Sequence, residues 1–268
     1  MFREFMGQMG GSDMNKMMRY EFNQNKRSFW IALFVVGLLQ AIPAAASKSY
    51  LDSVKKNMQE EGLENYSESL STFEGWVSGQ PFTFFLLLLG FFSMSWAIGS
   101  IVKERDRHTA EFLFTLPYSR TSIYWAKWLA HMYQVIVIAV VSTGIVLLIG
   151  RFIGMLNAPW AVTNVMLAGL LTSLAFMGIG FALSPWLSSE RGALSIGIGI
   201  VSITFLLNII SGLNDSFMWM AKANLFNLFD AAAISGGKGL PIASVSGALG
   251  LLAAGSCAGW AGIVQRDM

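Results

Sequence analysis

Apolar positions along this chain gather into long runs separated by short polar stretches. Six runs come close to the roughly 20 residues that cross a hydrocarbon core as a helix. They extend approximately from Ser28 to Ala46, Phe82 to Val102, Trp128 to Gly150, Val162 to Leu187, Gly192 to Leu213, and Ile242 to Val264. Trp30, Trp76, Trp125, Trp128, Trp160, Trp186 and Trp260 fall at or near the run ends, where an amphipathic ring favours the headgroup region. The pattern predicts an all-α fold, an integral membrane bundle of six transmembrane helices.

The stretches outside the runs carry their own periodicity. Met14, Met18 and Phe22 recur at helical spacing among Lys16, Arg19, Lys26 and Arg27, which predicts an interfacial N-terminal helix within a segment 1–27. A basic segment, an apolar run and Ala44, Ala45 and Ala46 also have the order of a signal peptide, although the basic part is long for one. Outer segments are expected at about 48–80 and 214–241. In the first, Leu63, Tyr66, Leu70 and Phe73 suit an amphipathic helix, and the acidic excess suits a solvated loop equally well. The second, with Phe217, Trp219, Leu225, Phe226 and Phe229, is too apolar for a free loop and should dip into the interface or pack on the spans. Residues 28–268 read as one six-helix domain.

Composition agrees with the pattern, since 54% of the 268 residues are hydrophobic and 13% charged, against about 25% charged in soluble domains. Charge then supplies orientation. With the N-terminus in the cytoplasm, Arg3, Lys16, Arg19, Lys26, Arg27, Lys103, Arg105, Arg107, Arg120, Lys127, Arg191 and Arg266 are inside, twelve of the eighteen basic residues. The positive-inside rule therefore predicts cytoplasmic N- and C-termini. A net charge of +2 gives no argument for nucleic acid. The one cysteine, Cys257, reads as a small packing residue. His108 and His131 have no histidine or cysteine close by in sequence, so no metal site is expected. Gly236, Gly237 and Lys238 lack the upstream glycine and the hydroxyl residue of a phosphate-binding loop. No HExxH or serine–histidine pair stands out, and no catalytic residues or cofactors are expected.

The most informative stretch follows the second run, from Ile101 to Thr121. As a helix it places Thr109, Phe112, Leu113 and Leu116 on one face and Glu104, Arg107, His108 and Glu111 on another. Pro117 ends it, and Ser119 or Thr121 can cap the next helix. The series Glu104, Thr109, Glu111, Phe112, Leu113, Leu116, Pro117, Ser119 and Arg120, followed by Lys127, resembles the pattern after the second span of the ABC type-2 permeases. His108 stands where that family usually has glycine. The resemblance takes in most of the chain, from the basic N-terminal segment to the charged turn at Ser189, Glu190 and Arg191 and the closing Arg266 and Asp267.

That resemblance implies a permease domain in a bacterial plasma membrane whose segment at about 103–118 is a cytoplasmic coupling helix, seated on a separate ATP-binding cassette ATPase subunit. It also implies a second permease subunit, identical or similar, and export as the direction. By physics alone, Phe112, Leu113 and Leu116 need an apolar partner, and membrane lipids would serve as well as a protein groove. Gln40, Asn164 and Asn208, with Thr172, Ser173, Ser202 and Thr204, are polar uncharged positions in the runs. They suit interhelical hydrogen bonds or a translocation cavity. The run interiors are expected to be free of charge, which weighs against the alternative, a small channel or carrier working without an ATPase. Gly255 and Gly259 form a GxxxG suited to close helix contact, within the chain or between two copies.

Overall fold

A computed structural model describes residues 11–61, 72–106, 119–213 and 224–265. These residues are helical or lie in turns, and no strand occurs among them. Among the described residues seven α-helices of six residues or more stand out: α1 (Gly11–Glu61), α2 (Phe73–Ser78), α3 (Gln80–Asp106), α4 (Arg120–Ile153), α5 (Pro159–Leu183), α6 (Glu190–Ser211) and α7 (Ile242–Gln265). All but the short α2 are long and apolar enough to cross a membrane, so the protein is a multi-pass, all-α membrane bundle. The helices alternate in direction. The end where α3 finishes and α4 begins is called basal below, and the opposite end apical.

Helices α1, α3 and α4 run past both ends of the apolar stretches that announce them. The expected N-terminal helix forms the first turns of α1, which continues unbroken through the first span and beyond it to Glu61. Its 51 residues make a rod of about 77 Å. Pro43 lies inside it and removes one ladder bond. The Trp76 indole N–H donates to the Pro43 carbonyl at 3.0 Å, tying α1 to α2 near the apical end.

Burial divides the bundle into a centre and a periphery. In the most apolar stretch of each span, 72% of residues are buried for the spans built on α3 and α5, against 17% for α6. Glycine makes this centre possible. A Cβ at Gly169 would lie 2.7 Å from the Phe85 ring, and one at Gly180 would lie 2.9 Å from the Met94 carbonyl, so α5 meets α3 almost backbone to side chain. On its other side Gly178 faces the α7 backbone at Leu251 and Leu252, and Cβ atoms at Gly255 and Gly259 would collide with the carbonyls of Gly178 and Phe181. The last-span GxxxG is thus used within the chain. Cys257 departs from its expected packing role: it is exposed on the outer face of α7.

After α6 the described chain resumes at Asn224, whose side-chain amide donates to the Thr204 carbonyl at 2.8 Å. Phe226 is buried, with its ring 5.9 Å from Phe176 and 5.6 Å from Phe205. This part of the segment lies against the spans well below the apical surface, and its backbone polar groups are answered by turns and side chains, as hydrocarbon surroundings demand. Leu63, Tyr66, Leu70, Phe217 and Trp219, named for the outer segments, lie outside the described residues.

Candidate functional site

The candidate coupling segment is framed by structure on both sides. Thr109, Glu111, Phe112, Leu113, Leu116 and Pro117 lie outside the described residues, whereas Glu104, Ser119 and Arg120 are within them. Ser119 caps α4: its backbone is extended, and its Oγ accepts from the Ser122 N–H at 3.2 Å. Arg120 opens that helix. Glu104 sits in the last turn of α3, two residues before its end.

Glu104 belongs to a buried ionic cluster that joins three helices. The Lys127 ammonium donates to Glu104 Oε1 at 2.6 Å and to Glu21 Oε2 at 2.8 Å, with 6%, 14% and 8% of the respective side chains exposed. Lys127 comes from the second turn of α4 and Glu21 from the early turns of α1. One cation therefore holds the start of α1, the end of α3 and the start of α4 together. Lys103 Nζ donates to Asn25 Oδ1 at 3.4 Å, one turn along α1 from Glu21. Two carboxylates thus face two ammonium groups, which lowers the cost of removing them from water.

The cluster extends inward through His131. Its Nε2 lies 3.6 Å from Glu21 Oε1, and its Nδ1 lies 3.3 Å from Asn25 Nδ2 and 3.2 Å from Gln134 Oε1. The two neutral tautomers answer different partners: protonated on Nδ1 the ring donates to Gln134 Oε1, and protonated on Nε2 it accepts from the Asn25 amide. The ring sits between Trp96 and Phe181, each 6.3 Å away between centroids. The Trp96 indole in turn donates to Ser28 Oγ at 2.9 Å. His131, Gln134 and Lys127 are all buried.

Lys127 and Glu21 lie within continuous membrane-length helices but outside the apolar runs expected to be free of charge. Sequence reasoning took Lys127 as a topology marker and part of the family pattern, weighed His131 only as a metal ligand, and did not single out Glu21. A signal was present nonetheless. Lys127, His131, Gln134 and Ser142 recur on one face of α4 together with Val135 and Ile138, so a polar stripe shares the face that a bundle buries.

The three candidate cavity residues come from three different helices. Gln40 is buried and donates through Nε2 to the Pro81 carbonyl at 3.0 Å, which fastens α1 to the start of α3. Asn164 and Asn208 are half-buried in α5 and α6. Thr172, Ser173 and Thr204 donate to carbonyls four residues back in their own helices, so these hydroxyls do not use their protons to join helices.

At the apical end a single carboxylate is handled differently. Glu74, 4% exposed, accepts through Oε1 from the Asn157 N–H at 2.8 Å and the Ala158 N–H at 2.6 Å, just ahead of Pro159 at the start of α5. The positive end of the helix dipole adds to those bonds. At the basal end, Asp106 Oδ2 accepts from the Glu190 N–H at 3.0 Å and so ties the end of α3 to the start of α6.

The family described as ABC-2 family transporter protein matches residues 20–232. A comparison with curated proteins found no match. The family match opens beside Glu21, contains both partners of Lys127, and runs through α6 to the buried turns around Phe226. With most of the chain covered and six membrane-length helices in place, the protein belongs to the ABC-2 transporter family, the multi-pass membrane permeases of ABC transporters.

Proposed function

We propose that this permease couples its membrane helices to a separate ATP-hydrolysing subunit through the segment at about 103–118, with the basal end in the cytoplasm of a bacterial cell. The observation that carries the reading is the Lys127 cluster. The segment is bounded by α3 and α4, and Lys127 bonds α4 to Glu104 of α3 and to Glu21 of α1 at 2.6 and 2.8 Å. A push on the segment therefore reaches three spans through one buried charge. Lys103, Arg120, Lys127 and Arg191 all belong to that end, as a cytoplasmic placement favours.

Phe112, Leu113 and Leu116 supply the apolar anchors for a groove on the ATPase, with Glu111 and Arg120 as steering charges at the rim. ATP is handled by that partner, two copies of which act on a pair of permease subunits. Export is the direction the family resemblance favours. The test is purification of the permease with its ATPase in mild detergent. Phe112→Ala combined with Leu113→Ala should leave membrane insertion intact and abolish both co-purification and transport-linked ATPase stimulation. Transport at the parent rate by that variant, or by the permease alone in liposomes, would overturn the reading.

A further inference from the structure

Grooves open along several faces of the bundle, and they differ in what lines them. The one between α1 and α4 is walled by Trp30, Phe34, Leu38 and Ile145, with no polar side chain. The one between α4 and α5 adds only Thr143 and Thr163, whose hydroxyls donate to carbonyls of their own helices. A third, of about 460 Å³, runs between α1, α3 and α6 and is graded from end to end. Its basal mouth carries Lys103 and Glu190, and its inner wall is aromatic and aliphatic.

The cleft exists because α6 touches the bundle along a thin stripe. Only Ala193, Gly197 and Val201 of that helix are buried, and at Gly197 a Cβ would come within 3.3 Å of Ile98. Beside this stripe Leu194 and Ile198 stand away from α3 and form one wall. Phe91, Phe92, Ser95 and Trp96 form the floor, and the Trp96 bond to Ser28 fixes the wall on the α1 side. From Lys103 to Phe91 is twelve residues of α3, about 18 Å of helix, or roughly one leaflet of a 30 Å core. The volume lies within the ~300–1,000 Å³ of small-molecule sites.

We propose that this cleft binds one acyl chain of a zwitterionic membrane amphiphile, with its phosphate at Lys103 and its ammonium at Glu190. The opposite charges at the mouth match the two charges of such a headgroup, and the depth matches a chain lying in the basal leaflet. Both residues already have neighbours, Lys103 through Asn25 Oδ1 and Glu190 through its N–H to Asp106. Neither residue is without a partner, so the headgroup exchanges with contacts already made at the mouth. The site depends on neither an ATPase nor a direction of transport, so it stands apart from the coupling reading.

The test uses the full chain in nanodiscs of phosphatidylethanolamine and phosphatidylglycerol, each doped in turn with an acyl-chain photoactivatable probe of the same headgroup. Labelled peptides should contain Phe91, Phe92, Leu194 or Ile198, with the ethanolamine probe favoured about fivefold, the size of one exposed ion pair. Ile198→Trp should remove that labelling and leave labelling of the α4–α5 groove unchanged. Glu190→Gln should abolish the headgroup preference without removing the labelling. Equal labelling of all grooves by both probes would overturn the proposal. So would cross-linking of Ser95→Cys to a second copy with no cleft labelling, since the occupant would then be the partner permease.

Discussion

The two ends of the bundle each bury carboxylates, and they satisfy them by opposite means. At the apical end Glu74 is answered by two backbone N–H groups at the start of α5. At the basal end Glu21 and Glu104 are answered by the side chain of Lys127, with Asn25, Lys103 and His131 around them. The two backbone donors sit on adjacent residues at one helix start and move only together with α5. Side-chain donors on three helices can exchange partners as the helices slide. The apical end is thus a clasp at one helix start and the basal end a side-chain junction between three helices, the kind of element the proposed coupling stroke would use.

The largest effect should come from breaking the junction. Lys127→Met leaves two buried carboxylates facing each other, and removing one partner of a buried pair costs about 3 to 5 kcal/mol. Thermal unfolding in detergent should show a large drop in midpoint. Adding Glu21→Gln and Glu104→Gln to Lys127→Met should restore much of the stability but not the ATPase stimulation. If the neutral triple variant coupled normally, the charges would be packing elements alone and the contrast between the ends would fail.

Breaking the clasp should cost less and differ in kind. Glu74→Ala leaves the Asn157 and Ala158 N–H groups without their acceptor, and hydrogen bonds to a charged group contribute about 1.5 to 3 kcal/mol. The midpoint should fall while ATPase stimulation per folded molecule stays at the parent level. Loss of stimulation in proportion to that seen for Lys127→Met would mean that both ends move.

The seam between the ends provides a reference. Gly255→Ala places a methyl against the Gly178 carbonyl where no space exists, and overpacking of this kind costs about 1 to 3 kcal/mol. Parting α5 from α7 should lower stability without touching either charged end. Parent-like stability would show that the two helices separate readily, and the centre of the bundle would then be mobile as well.

The clasp, the junction and the seam were unequally legible in the sequence. The six spans were visible because membrane solvation imposes long apolar runs, and Gly255 with Gly259 was visible as a motif. The full extent of α1 was not, because polar residues such as Lys16 and Tyr50 continue a helix as readily as they flank one. Neither was the junction. Glu21 and Lys127 are 106 residues apart, and each looks like an ordinary flanking charge until the fold brings their atoms to 2.8 Å. Glu74 was counted only as acidic content in an outer loop, since nothing in its neighbourhood points to a helix start more than eighty residues away.

The smallest expected effect concerns the caps, and it asks whether the contrast between the ends survives without charge. Ser119 caps α4 at the basal end, immediately after the segment at about 103–118, and Thr72 caps α2 at the apical end through the Gly75 N–H at 3.1 Å. Replacing either by alanine should cost about 0.5 to 2 kcal/mol. Ser119 lies toward the low part of that range because the Ser122 hydroxyl, 2.6 Å from its Oγ, remains at the helix start. The two losses should be similar in unfolding midpoint but not in coupling. Fraying the first turn of α4 softens the link between the segment and Lys127, so Ser119→Ala should reduce ATPase stimulation about twofold to fivefold, a change equivalent to less than about 1 kcal/mol. Ser119→Asp, which keeps an acceptor at the cap, should restore it. Thr72→Ala should leave stimulation unchanged. Equal losses of stimulation at the two caps would mean that coupling follows general stability, and the basal end would have no special part in it.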